Sequence, residues 1–138
     1  MTHARTIIRK RVVELLRKNI SRVYESKVYP VDKLPAIIVY TPQEQVTEYS
    51  TSYPRTQIRQ LTLLIEIYAN IDPEPDRLSL AVEEILGIEH TLGGLAKDIA
   101  LNSTEISFSA EGDKPLSIST LTYYITYSVK ENSPNKLI

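Results

Sequence analysis

The chain has no cysteine and no tryptophan, and its 138 residues include one phenylalanine, one methionine, four glycines and two histidines. Without cysteine there is no disulfide framework, no thiolate metal site and no thiol nucleophile, and an intracellular location is the simplest expectation. The histidines, His3 and His90, fall at a helix start and a helix end, so neither a two-histidine metal site nor a Ser-His-Asp arrangement has local spacing in its favour. No GxGxxG or GxxxxGKS/T string occurs, and LGG at Leu92–Gly94 reads as a helix stop, not a phosphate loop. Glu83 and Glu84 are adjacent and point about 100° apart on a helix, which disfavours them as a carboxylate pair. No catalytic residue, cofactor or metal is expected. No apolar run approaches the ~18 residues of a membrane span, and the basic start MTHARTIIRKRVVELLRKN lacks the apolar stretch of a signal peptide, so neither membrane insertion nor secretion by that route is expected. A net charge of −1 excludes a surface wholly adapted to phosphate backbones.

What is present is globular: 42% hydrophobic and 24% charged residues suit one folded domain, expected over residues 1–132 with a flexible tail at 133–138. Thr2 to Ile20 has Ile8, Val12, Leu15, Leu16 and Ile20 on one side of a helix, with Thr2 as cap. The other side carries Arg5, Arg9, Lys10, Arg11, Arg17 and Lys18 against Glu14, a face open to solvation, a subunit contact, DNA or an acidic partner. RVYESKVY suggests a short strand over Val23–Tyr29, closed by Pro30. LPAIIVY, Leu34–Tyr40, is an interior strand, apolar on both faces and ended by Thr41 and Pro42. QEQVTEYSTSYPRTQ, Gln43–Gln57, is too polar for core and reads as an edge strand or a long hairpin arm.

RQLTLLIEIYA, Arg59–Ala69, alternates with Leu61, Leu63, Ile65 and Ile67 on one face. The period then changes: Leu78, Ala81, Val82 and Ile85 mark a second helix running to about His90, capped by Asp72 or Asp76, with prolines in its first turn. Its exposed face holds Glu74, Asp76, Glu83, Glu84 and Glu89, opposite in sign to the first helix. LAKDIALN suggests a short helical turn. Glu105–Ala110 and Ser117–Lys130 read as a hairpin around EGDKP, and NSPNKLI as a frayed end.

Tyrosine is the compositional oddity, with nine residues. In STLTYYITYSV, Tyr123 and Tyr127 share a face with Leu121, Ile125 and Val129, which points to core packing and away from an RNA-binding platform. Tyr124 lies opposite, on the threonine face. Tyr49 and Tyr53 sit in the polar arm with Arg55 and Arg59 just beyond, residue types favoured where proteins meet. The expected fold is α+β, a mixed and mostly antiparallel sheet of four to five strands with two main helices packed on it.

The basic opening helix, the strand LPAIIVYTP, the strand LTLLIEIYA running into a proline- and acid-rich helix start, and the closing STLTYYITY together resemble the tail terminator proteins of long-tailed bacteriophages, of the minor tail protein U type. The resemblance spans nearly the whole chain. It implies a structural virion protein, assembled in the host bacterial cytoplasm, that forms a hexameric ring on the tail tube, stops tube polymerisation and offers a docking surface to the head-side connector. It implies no catalysis. Arg9, Arg11 and Arg17 against Glu83 and Glu84, with Tyr124, are then candidate subunit contacts. Tyr49, Tyr53, Arg55 and Arg59 are candidate contacts to the major tail tube protein, and lumen residues would touch DNA only transiently. The alternatives are a head-completion or stopper protein of the same neck, or a nucleic-acid-binding regulator using the basic N-terminal helix.

Overall fold

Helix α1, Ala4–Arg17, buries Ala4, Ile8, Val12, Val13, Leu15 and Leu16, the stripe that recurs every three to four residues. In the computed structural model, which describes residues 2–25, 34–70, 74–109 and 115–138, the helix begins one step later than its sequence suggests. Its cap is therefore His3 and not Thr2: His3 Nδ1 accepts the Arg5 backbone N–H at 3.1 Å.

Strand β1, Val23–Glu25, runs parallel to β2, Ala36–Tyr49. The rest of the expected first strand, with Pro30, lies outside the described residues. Strand β2 does not end at Pro42. A register shift between Tyr40 and Gln43 takes the proline out of the ladder, where its missing N–H costs nothing, and pairing resumes to Tyr49. Its partner is β3, Thr56–Asn70, so the polar segment is the paired end of a hairpin, running within the sheet to Tyr49↔Gln57.

Strand β5, Leu116–Lys130, pairs with β3 without a slip from Asn70↔Leu116 to Thr56↔Lys130. On one face of this pair Leu61 meets Ile125, Leu63 meets Tyr123 and Ile65 meets Leu121, all buried. Each such aliphatic stabilises the fold by about 1.5–3 kcal/mol, and together they form the floor on which the helices sit. The opposite face is not bare: Glu66 is buried there and accepts hydrogen bonds from the Tyr40 hydroxyl at 3.2 Å and the Tyr68 hydroxyl at 3.0 Å. Burial first, and Glu66 second, push both phenols up, Tyr68 to about 12.

Helix α2, Glu74–Ile88, packs Val82 and Leu86 onto β3 and β5. Asp76 lies inside its first turn and cannot cap it, while Asp72 and Pro73 fall outside the described residues. The helix stops short of His90 and is followed by Leu92, Gly93 and Gly94 with φ of 51°, 73° and 93°. Gly93 suits this turn by its positive φ, and a Cβ there would lie 3.1 Å from the Arg11 guanidinium, which would have to shift by a few tenths of an ångström.

LAKDIALN does not make a helical turn. Its apolar residues suit either period, and tertiary pairing decides for β4, Asp98–Ser109, antiparallel to β5. The C-terminal residues, expected to fray, form β6, Ser133–Leu137, also on β5, and Leu137 packs against the core. Among the described residues, two helices lie on a six-stranded mixed, mostly antiparallel sheet of order β1-β2-β3-β5-β4, with β6 pairing β5 off that path. The class is α+β, as the alternation of periods implied.

Candidate functional site

The arm ends in a cluster built by turn geometry. Ser50 N–H donates to Thr56 O at 2.9 Å and Ser50 Oγ accepts from Thr56 N–H at 2.8 Å, closing the loop between β2 and β3. This places the Arg55 guanidinium 4.4 Å from the Tyr53 ring centre and 5.6 Å from that of Tyr49, within cation–π range. Arg55 also donates to the Tyr53 hydroxyl, and its backbone N–H donates to the Glu131 carboxylate just beyond β5. Tyr53 is 74% exposed and Tyr49 56%. Of the four residues expected to contact a partner here, three therefore form one prearranged surface patch.

The fourth, Arg59, does not join them. It sits in β3 beneath the start of α1, where its NH1 lies 3.2 Å from Glu44 and 3.4 Å from His3 Nε2. Its Nε and NH2 both donate to the Gln57 side-chain oxygen at 3.0 and 2.6 Å. Arg5 reaches the same Glu44 oxygen at 2.8 Å, and the Tyr127 hydroxyl donates to the other Glu44 oxygen. Arg59 and Glu44 are each only 12% exposed, so this is an internal network that ties α1 to β2, β3 and β5. It perturbs its members: burial, then Arg5, lowers the His3 pKa, with Glu44 acting in the other direction. Burial, then the bond to Glu44, raises that of Tyr127.

The arginines expected at a subunit contact are also occupied within the chain. Arg9 donates to Glu25 at 3.1 Å and to Thr41 Oγ1 at 2.8 Å, and Arg17 donates to the Val23 carbonyl at 3.1 and 2.9 Å. Arg11 pairs with Glu14 at 3.5 Å and lies against Gly93. Lys10 and Glu14 on α1, and Lys18 at its C-cap, are exposed. On α2, Glu83 and Glu84 are exposed, and Glu83 accepts from Ser79 Oγ at 3.2 Å. Tyr124 is half-buried on the helix-free face, in register with Thr62 and Ala100. Tyr123 and Tyr127 are interior, as their alternation required.

Sequence reasoning missed β4 as a surface. Leu101, Ile106 and Phe108 are exposed on the same side of the sheet as the helices, but beyond the cover of either one. The hidden signal was DIALNSTEISF, whose alternation is broken once by the register shift between Leu101 and Ser103. Among the described residues no group of three or more His, Asp or Glu is placed to hold a metal, and no helix is long and apolar enough to cross a membrane.

No family model and no curated protein matches the chain. Among solved structures, one similar chain shares 14% identity over 88% of this chain and 92% of its own length, at a TM-score of 0.47, and it assigns no function.

Proposed function

We propose that this chain is a structural virion protein of the tail-terminator type, one that forms a ring on the end of a phage tail tube, halts tube polymerisation and presents a surface to the head-side connector. The observation that carries this reading is the Tyr49–Arg55–Tyr53 patch at the tip of the β2–β3 arm. Two aromatic rings and a guanidinium, held in place before any partner arrives, lose little entropy on binding and match the residue types that dominate protein–protein hot spots. The arm is backed by β5 along β3, so its tip is rigidly offered to a partner such as the tube rim. The sixfold order of the ring and the identity of the tube partner come from the sequence resemblance.

The test is negative-stain imaging of tail-tube subunits polymerised with and without the purified chain. Short tubes capped by rings are expected, and tubes that lengthen without limit in its presence overturn the reading. Loss of a head-completion protein instead leaves tails of normal length that fail to join heads, which separates that alternative. A DNA-binding regulator is less well supported, because Arg9, Arg11 and Arg17 are spent on Glu25, Glu14 and Val23.

A further inference from the structure

The sheet guards its margins unequally. Strand β1 is three residues long, β6 is five residues with Pro134 and Lys136, and the outer part of β2 carries Pro42, two register shifts, Glu44 and Glu48. Short length, proline, bulges and charge are the devices that keep an edge from pairing with another chain. Strand β4 has few of them: twelve residues, no proline, no lysine and one register shift. An edge strand of that length turns roughly six N–H and six C=O groups outward. Alongside them Leu101, Ile106 and Phe108 are 38%, 48% and 67% exposed. A strand with both an open backbone edge and an apolar side is incomplete by itself.

Charge indicates what completes it. Asp98 and Glu105 lie on β4, and Asp76, Glu83 and Glu84 are exposed on α2, against Arg77 and Lys97. Two β4 edges meeting across a twofold axis would bring these carboxylates together, a like-charge arrangement that disfavours the contact. The opposite sign lies on α1, which packs against β1, β2 and β6 and turns Lys10, with Lys18 at its C-cap, outward against Glu14. We infer that the β4 edge, with its Leu101–Ile106–Phe108 strip and acidic flank, is covered by the α1-bearing side of a second copy of this chain, head to tail. Such a contact uses two different patches on each copy, so it repeats and closes into a ring when the rotation allows. This deepens the proposed function and rests on it only for ring closure.

Light scattering and sedimentation of the full chain over a range of concentrations test the inference. The wild type is expected to self-associate, less so at high salt. Ile106→Lys with Phe108→Lys should weaken association at least about 30-fold, the scale of a lost hot spot, while thermal melting of the single chain holds because both side chains are exposed. Lys10→Glu with Lys18→Glu should dissociate the oligomer too, and adding Glu83→Lys with Glu84→Lys to that variant should restore it. A wild type that stays a single chain, or an oligomer untouched by the β4 changes, overturns the inference. An oligomer lost with the β4 changes but indifferent to Lys10 and Lys18 overturns the head-to-tail arrangement. Tube capping separates the two conclusions: a β4 variant that still makes capping rings defeats this inference alone. Self-association through β4 without any capping defeats the proposed function alone.

Discussion

Arg55 and Arg59 stand four residues apart and read alike in sequence, yet one is the centre of an exposed patch and the other a nearly buried strut. The difference is what lies over them. Arg59 falls under the first turn of α1, which delivers His3 and Arg5, and opposite Val46 on β2, two residues along the strand from Glu44. Arg55 lies past the end of α1, where the rings of Tyr49 and Tyr53 and the Glu131 carboxylate reach it. A guanidinium is thus structural or available for a partner according to cover, not composition.

The sharpest break of this contrast is Arg59→Ala. It leaves Glu44 facing Tyr127 and Arg5 without its best-buried cation and strands the Gln57 oxygen, so unfolding in urea should show a loss of about 2–3 kcal/mol. Arg59→Lys should recover only part of it, since an ammonium cannot span Gln57 and Glu44 in one plane. An unchanged urea midpoint would mean that the network contributes nothing.

Tyr127→Phe probes the same cluster from below by deleting the hydroxyl that donates to Glu44 while keeping the ring in the core. A loss of about 1–2 kcal/mol is expected, the net worth of a hydrogen bond to a charged acceptor. Equal stability of the two proteins would show that water or Arg5 replaces the hydroxyl. At the tip the expectation reverses. Tyr53→Ala with Arg55→Ala should move stability by no more than about 0.5 kcal/mol, as exposed contacts do, while tube capping is lost. A large fall in melting temperature would place the tip with the struts.

Much of the architecture was legible because its signals are long. Leu61 to Ile67 and Leu121 to Val129 alternate over enough residues to fix strand and face together, and the α1 stripe is unbroken. What was not legible depends on single residues or distant partners. The first half of β4, before its register shift, was hidden behind a helical reading while Glu105–Ser109 was read as a strand, and Ser133–Leu137 is a strand only because β5 is there to pair with it. Of the candidate contact residues, Tyr49, Tyr53 and Arg55 could be grouped from spacing, since one turn brings them together. The occupation of Arg9, Arg17 and Arg59 could not, because Glu25, Val23 and Glu44 are placed by the tertiary fold.

The smallest expected effect concerns the cap of α1. His3 accepts the Arg5 N–H through Nδ1, which only the unprotonated ring can do, and burial together with Arg5 and Arg59 holds its pKa below the ordinary 6.5. Between the folded and unfolded pKa values the unfolded chain binds more protons, so stability rises with pH there. The contribution is fully present above about 6.5 and is lost as pH falls through the folded value. Glu44 acts in the opposite direction. His3→Asn retains a good capping acceptor that does not titrate in this range. Urea midpoints of the two proteins should therefore run parallel above pH 7 and separate below pH 6.5, with the wild type falling faster. Parallel curves down to pH 5 would mean that His3 takes up its proton in the folded chain as easily as in the unfolded one, and that the capping bond to Arg5 does not depend on its charge state.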